Sequence, residues 1–228
     1  MLCSHEKKFI YSRTRKTAST SVEIFFQRFC LPEGVLPQSH DTKQIITESG
    51  IVGSREKELL LSKPPDFYNH MPISEIRRKL GREIFDTYYK FCTMRNPFDK
   101  VVSHFWWKMR NTLDSSNEAF PKIKGRFAKF VLQNFGGLND RPIFMIEGHS
   151  VVDEFIRYEH LATDIEKVCN TLGIDFSAEI LGNYKSSFRK RAEHFAEYYD
   201  TVTKRLVEVE FSWEINRFKY SLTANNST

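Results

Sequence analysis

The pattern of apolar and polar positions predicts strands that alternate with helices. Two largely apolar runs, Phe9–Tyr11 and Tyr88–Met94, are candidates for buried strands. Each run is followed, after a polar segment, by apolar residues at the spacing of one helix face. In the first helix these residues are Val22, Phe25, Phe26, Phe29 and Cys30, and in the second they are Phe98, Val101, Val102, Phe105, Trp106 and Met109. This alternation predicts an α/β fold in which helices cover a parallel sheet on both faces.

The same signals predict the rest of the chain. Further helices are expected at 73–80, 127–135, 165–172 and 201–218, further strands at 44–47, 142–146 and 151–158, and loops at 31–43 and 111–125. Pro72, just before the apolar residues of 73–80, suits the first helical position, and Gly81 suits the position just after the helix. The last helix should pack through Val202, Leu206, Val209 and Trp213. Since no repeat or linker divides the chain, we predict one domain over residues 1–228.

Composition narrows the class of protein. With 228 residues, 40% of them apolar, the chain has the composition of a globular protein. No apolar run approaches the ~18 residues that a spanning helix needs, so we expect no membrane span. The first residues have charges but no apolar stretch after them, unlike a signal peptide. The scattered cysteines, with Cys30, Cys92 and Cys169 in apolar patterns, predict buried thiols, no metal site and a cytoplasmic location.

The charge of the chain bears on its partners. The formal net charge of +5 is compatible with an anionic ligand. Nucleic acid would require a denser basic stripe with interleaved aromatic residues, and the one basic cluster, at 185–191, is short. We therefore expect no nucleic-acid partner.

A basic, hydroxyl-rich segment lies between the first strand and the first helix. It contains Lys16, Thr17, Ser19, Thr20 and Ser21. Backbone N–H groups and the positive end of a helix dipole make such a place an anion site, to which Lys16 adds a full charge. The combination suits a phosphate or sulfate group. The glycines of a Walker A loop are absent, which disfavours an ordinary nucleotide kinase, and the alternative is that a hydroxyl merely caps the helix.

A second anion site and a histidine complete the candidate chemistry. Arg95 follows the second strand, and ligands of parallel sheets bind beyond the carboxyl ends of the strands, so Arg95 and the first loop can face one crevice. His70 lies just outside a predicted helix N-terminus, where the dipole disfavours a charged imidazole and keeps a base neutral. The alternatives are an Arg95 that pairs with Asp99 and a His70 that only forms a hydrogen bond. Glu23 and Glu48 are rival bases.

Four segments in this order resemble the sulfotransferases that use 3′-phosphoadenosine 5′-phosphosulfate (PAPS). The likeness is to the carbohydrate-type branch, which includes the heparan sulfate 2-O-sulfotransferases and small bacterial enzymes. Arg15–Ser21 resembles the family's PKTASTS loop, Met94–Ser103 resembles VRNPxDRxxS, Phe155–Leu161 with Asp164 resembles RYExL…D, and Tyr199–Asp200 with Phe218–Tyr220 resembles the closing segment. Arg15 departs from the pattern, since the family usually has proline there. Residues 104–150 match no substrate class.

The resemblance implies a P-loop-like fold and a role for each matching residue. Lys16 would hold the phosphosulfate and stabilise charge on the leaving oxygen, and His70 would be the general base. The residues that would bind the cofactor are Arg15, Lys16, Thr17, Ala18, Ser19, Thr20, Ser21, Arg95, Ser103, Tyr158, Ser186 and Arg189. Of these, Arg95 and Ser103 would hold the 3′-phosphate, Tyr158 would lie near the adenine, and Ser186 and Arg189 would belong to a lid. For Tyr158 the alternative is a core aromatic, and for 185–191 a solvated basic turn.

Three functions are therefore open from the sequence. The first is an enzyme that transfers a sulfuryl group from PAPS to a hydroxyl of a carbohydrate or small-molecule acceptor, without a metal, and releases 3′-phosphoadenosine 5′-phosphate (PAP). The second is a P-loop kinase that uses ATP and magnesium. The third is a non-catalytic anion-binding module, which would keep Lys16 and Arg95 but would not need His70. Trp107 is a candidate for the acceptor site.

Overall fold

The computed structural model describes residues 1–38, 43–55, 65–111, 118–177 and 191–223. These residues group into two compact units, one within Met1–Met94 and Asp140–Lys185, the other within Arg95–Asn139 and Ser186–Thr228. The first unit contains the main sheet. The second unit is helical.

The first unit is built on a six-stranded mixed sheet. Its strands are β1 (Leu2–Ser4), β2 (Phe9–Ser12), β3 (Ile45–Ile46), β4 (Gly50–Val52), β5 (Tyr89–Met94) and β8 (Glu154–Arg157), in the order β3-β4-β1-β2-β5-β8. Strand β2 runs parallel to β5, and β5 runs parallel to β8. The pairs β1–β2, β1–β4 and β3–β4 are antiparallel. The predicted all-parallel sheet is therefore wrong at this edge, because the short β1–β2 connection permits only a hairpin.

Helices cover both faces of this sheet, as predicted. Alternate residues of a strand point to opposite faces, and on one face Phe9 and Tyr11 pack in the cluster that contains Phe26 of α1 (Ser19–Gln27) and Val168 of α7 (Leu161–Leu172). On the other face, Ile10 packs in the cluster that contains residues of α2 (Ile73–Leu80) and α3 (Arg82–Thr87). Each face of the sheet thus belongs to a separate hydrophobic core.

Several elements of the first unit match the predictions and one region does not. Strands β2, β3 and β5 and helices α1, α2 and α7 lie where the apolar patterns place them, with Pro72 as the N-cap of α2 rather than its first residue. The strand predicted at 142–146 is wrong in part, because Pro142 lies in the first turn of a short helix, α6 (Arg141–Phe144). Strand β6 (Met145–Ile146) then pairs with β7 (His149–Ser150), and β8 joins the main sheet.

The second unit packs its helices around an aromatic core. It contains α4 (Pro97–Met109), α5 (Phe120–Asn134), α8 (Thr201–Glu210) and α9 (Ser212–Phe218), with single-turn 3₁₀ segments at Phe135–Leu138 and Phe195–Tyr198. A third 3₁₀ turn, Tyr158–His160, follows β8 in the first unit. The buried cluster includes Phe98, Phe105, Trp106, Phe127 and Tyr198. Helix α4 begins at Pro97 as predicted, with the Asn96 side chain accepting a hydrogen bond from the Phe98 N–H.

Two predictions for the second unit are corrected. Helix α5 begins at Phe120, so residues 120–125 are helical rather than part of a loop. The single helix predicted at 201–218 is divided near Phe211, and its buried side carries Thr203, Val207 and Phe211. Val202 and Val209, which were predicted to pack inward, are 59% and 60% exposed, because they lie outside this buried stripe.

The structure also shows the state of the cysteines and the apolar character of the helices. All four cysteines are buried free thiols, which confirms the prediction for Cys30, Cys92 and Cys169. Within the described ranges, no helix has both the length and the apolar character needed to cross a membrane.

Candidate functional site

The loop between β2 and α1 has an unusual backbone. It leaves the carboxyl end of β2, which lies inside the sheet between β1 and β5. Two of its non-glycine residues are left-handed, Lys16 with φ 60° and Ala18 with φ 59°. Such conformations cost roughly 1–2 kcal/mol each for a residue with a Cβ, and they persist only where the surroundings impose them. The contacts around the loop therefore have to account for this backbone.

A hydroxyl cluster supports the loop from below. The Thr14, Thr17 and Thr93 hydroxyls lie within 2.7–2.8 Å of one another, and the Thr14 hydroxyl donates to the Thr93 carbonyl at 2.6 Å. The Tyr11 hydroxyl donates to the Ser19 carbonyl at 3.2 Å. All these side chains are buried. The Thr17 hydroxyl thus faces inward and ties the loop to β5, so its predicted contact with a ligand would be made by its backbone.

Helix α1 starts at this loop without a side-chain cap. Its N-cap is Ala18, whose side chain cannot accept a hydrogen bond. The alternative in which a Ser or Thr merely caps α1 is therefore wrong. The Ser19 and Thr20 hydroxyls instead lie 3.3 Å and 2.7 Å from nitrogens of the Arg13 guanidinium, which donate to them. The N–H groups and positive dipole of the helix start thus remain directed at the loop.

Arg13 organises the loop from a buried position, which the sequence did not predict. Its guanidinium forms an ion pair with Glu23 at 2.9 Å and donates to the Asn69 side-chain oxygen at 3.0 Å. Arg55 lies 2.7 Å from the same Glu23 carboxylate. Although burial opposes the charged form, the two arginines lower the pKa of Glu23 below its usual range. The Glu23 side chain is also 1% exposed, so an acceptor hydroxyl cannot reach it, which argues against Glu23 as the base. Glu48 is exposed.

His70 is fixed against the same arginine. It has a left-handed backbone, with φ 59°, and its Nδ1 lies 2.9 Å from the Arg13 carbonyl oxygen. Since a carbonyl oxygen only accepts, Nδ1 carries the proton of the neutral ring and Nε2 carries the basic lone pair. Burial, followed by the charge of Arg13, lowers the pKa of His70 to about 3. The ring is neutral as predicted, but burial rather than a helix dipole is the main cause.

Asp140 holds Arg15 at two points. One oxygen of its carboxylate accepts from the Arg15 backbone N–H at 2.8 Å, and the other accepts from the Arg15 guanidinium at 2.8 Å. Asp140 is 2% exposed, whereas the Arg15 side chain is 35% exposed. The pair joins residues 125 positions apart, so no local signal in the sequence could have indicated it.

Arg95 and Ser103, the predicted 3′-phosphate residues, belong to the second unit. Arg95 donates to Asp99 from Nε at 2.9 Å and from Nη2 at 2.6 Å, which is the alternative contact considered above. Ser103 is half-buried on α4. The guanidinium thus has a carboxylate partner in the first turn of α4.

The remaining predicted residues have mixed outcomes. Tyr158 is half-buried directly after β8. Beside it, Arg157 donates three hydrogen bonds of 2.8 Å to Asp164, so two positions of the RYExL…D resemblance form a structural ion pair. Ser186 and Arg189 lie outside the described residues. In the part of the chain that the structure describes, no group of three or more His, Cys, Asp or Glu side chains is placed to hold a metal ion.

Comparison with known proteins identifies a relative whose activity is not known. An uncharacterized protein of Archaeoglobus fulgidus is 32% identical over 105 residues, which cover 46% of this chain and 83% of that protein. The chain therefore belongs to the same family as this archaeal protein. No family model matches the chain, and no solved structure matches it.

Proposed function

We propose that this chain is a PAPS-dependent sulfotransferase with a P-loop-like fold, acting on a hydroxyl of a carbohydrate or small-molecule acceptor. One observation carries the proposal: Arg13 contacts both the candidate anion loop and the candidate base. Its guanidinium binds the Ser19 and Thr20 hydroxyls, and its carbonyl holds His70. An enzyme that transfers a charged group needs its anion-binding group and its proton acceptor at a fixed distance from each other. A residue that contacts both, as Arg13 does, fixes that distance.

In this proposal the loop binds the phosphosulfate. The start of α1 directs backbone N–H groups and a positive dipole at the loop, and Lys16 adds a full positive charge. As the bond between sulfur and the bridging oxygen breaks, negative charge develops on the phosphate that leaves. A fixed cation at that oxygen stabilises the transition state more than the ground state. Lys16 is the residue proposed for this role.

His70 accepts the proton in the same step. The acceptor oxygen forms a bond to sulfur, the bond from sulfur to the phosphate oxygen breaks, and the hydroxyl proton passes to Nε2 of His70. The hydrogen bond from Nδ1 to the Arg13 carbonyl leaves Nε2 as the basic atom. An anion bound in the loop would favour the imidazolium and so raise the low pKa of His70 towards a useful value.

The proposal also covers the compartment and the absence of a metal requirement. Four buried free thiols suit a reducing compartment, and we propose a cytoplasmic location. Sulfuryl transfer with Lys16 as the electrophilic group needs no magnesium, in contrast to a kinase.

PAP should stabilise the protein against heat more than ATP with magnesium does. At ~100 times its dissociation constant, a ligand that binds only the folded state adds roughly 2.7 kcal/mol to the free energy of unfolding. The measurement is the melting temperature in the presence of each nucleotide. A larger shift with ATP that depends on magnesium would favour the kinase alternative. Stabilisation by PAP without any sulfuryl transfer would favour the anion-binding module.

Replacing Arg95 with alanine should weaken binding of PAP but hardly change binding of adenosine 5′-phosphate. The role of Arg95 rests on the resemblance of Met94–Ser103, and a guanidinium suits a phosphate because it donates two parallel hydrogen bonds. Loss of one charge-assisted partner typically costs about 1.5–3 kcal/mol. Calorimetric titration of both nucleotides measures the difference.

The control for Arg95→Ala is Arg205→Ala, since Arg205 belongs to the same unit and its side chain is 75% exposed. The control should leave both affinities unchanged. Equal losses for the two nucleotides in Arg95→Ala would show that Arg95 acts through Asp99 on the structure of α4 and not on the 3′-phosphate.

A further inference from the structure

The contact between Asp140 and Arg15 lies immediately before a left-handed residue of the loop. Asp140 accepts from the Arg15 backbone N–H with one oxygen and from its guanidinium with the other. The next residue is Lys16, which has the left-handed φ of 60°. Because a hydrogen bond to a backbone N–H fixes the orientation of that peptide group, the contact also restrains the backbone on which the Lys16 side chain is mounted.

We propose that Asp140 is a positioning residue for the anion loop. It holds the peptide group at Arg15 and thereby keeps Lys16 in the backbone conformation that binds the phosphosulfate. The proposal rests on the proposed function. It also explains how an arginine can stand where the resembling family usually has proline. Proline has a fixed φ and no N–H, so it restrains the backbone without a partner, whereas Arg15 requires an acceptor, which Asp140 supplies.

A merely structural ion pair predicts a different pattern of effects. A buried pair that only stabilises the fold would change the melting temperature when it is broken and leave the affinity of the folded protein for PAP unchanged. A positioning residue changes that affinity as well. Asparagine separates the two contributions, because it keeps an oxygen that can accept from the Arg15 N–H but removes the negative charge.

The test measures the dissociation constant of PAP well below the melting temperature of every variant. Asp140→Ala should raise the dissociation constant about tenfold, the effect of losing one charge-assisted hydrogen-bond partner. Asp140→Asn should raise it by only about threefold or less, since the acceptor for the backbone N–H is retained. Asp86→Ala, which removes an exposed carboxylate of the same unit, should have no effect.

Arg15→Pro provides the sharper comparison. Alone, it should lower the melting temperature, because the buried Asp140 carboxylate loses both contacts with Arg15. Combined with Asp140→Ala, it should give a lower dissociation constant for PAP than Asp140→Ala alone, since proline needs no acceptor for an N–H.

The outcomes separate this inference from the proposed function. If wild type binds PAP and every variant binds it equally well, Asp140 is not a positioning residue and the proposed function stands. If Asp140→Asn binds as weakly as Asp140→Ala, charge rather than the hold on the backbone is responsible, which also overturns the inference. If wild type does not bind PAP, the proposed function fails and the inference fails with it.

Discussion

Replacing His70 with alanine is expected to lower turnover by about 10²–10⁴-fold, the usual contribution of a general base. The affinity for PAP should stay near that of wild type, because His70 contacts the Arg13 carbonyl and is not assigned to either phosphate. The measurement combines single-turnover rates, with sulfur-labelled PAPS and an acceptor selected from a screen of hydroxylated compounds, with calorimetric binding of PAP. A loss confined to the rate identifies a group that acts on the acceptor proton.

His149→Ala is the matched control, since His149 is an exposed histidine in the same unit. It should leave rate and affinity unchanged. Full turnover in His70→Ala would place the base elsewhere, and Glu48 would be tested next. A loss of PAP affinity in proportion to the rate would show that His70 supports the loop through Arg13 and takes no proton.

The pH dependence of the wild type follows from the same geometry. A histidine is a base only in its neutral form, and burial and Arg13 lower the pKa of His70 from 6.5 to about 3. In the protein without a ligand, the neutral form of His70 therefore persists well below the ordinary titration range of histidine. Protonation of His70 should therefore cause no fall in kcat/KM for PAPS between pH 7 and pH 5. A fall centred near pH 6.5, the ordinary pKa of histidine, would contradict the buried position of His70 beside Arg13.

Replacing Lys16 with methionine is expected to lower turnover by about 10²–10³-fold, which is typical for the loss of one electrostatic contact to developing charge. Methionine has a similar length but no charge, so packing of the loop should change little. The affinity for PAP should fall as well, because its 5′-phosphate occupies the same loop in the proposal. Rates and affinities are measured as for His70→Ala.

The control for Lys16→Met is Lys43→Met, which removes an exposed lysine of the same unit. It should behave as wild type. If Lys16→Met keeps its turnover, the loop is not the electrophilic clamp, even if it binds an anion. If it loses PAP affinity but the bound cofactor reacts at the wild-type rate, Lys16 contributes to binding alone.

The elements around the candidate site could be predicted because their signals are local. A buried run followed by apolar residues at helical spacing defines β2 with α1 and β5 with α4, and each pair carries its own periodicity. Strand β1 was missed because three residues are too few to show alternation. The buried side of α8 was misjudged because Thr203 is less apolar than Val202, although Thr203 is the buried residue of the two.

The interactions that shape the site could not be predicted, because they join residues far apart in the sequence. Asp140 reaches Arg15 across 125 positions, and the Arg13 carbonyl reaches His70 across 57. Glu23 was considered as a base because its ion pairs with two arginines are invisible in the sequence. For His70, the sequence predicted a neutral ring from the nearby helix N-terminus, whereas the main cause is burial. Burial depends on the tertiary structure, so the sequence could not show it.

Transfer of the sulfur label from PAPS to a hydroxylated acceptor is the decisive measurement for the proposed sulfotransferase activity. We expect label in the acceptor, with release of PAP, without added magnesium, and with transfer strongly reduced in both His70→Ala and Lys16→Met. Failure of wild type to transfer label to any hydroxylated acceptor, together with magnesium-dependent transfer of the terminal phosphate of ATP to the same compounds, would contradict it.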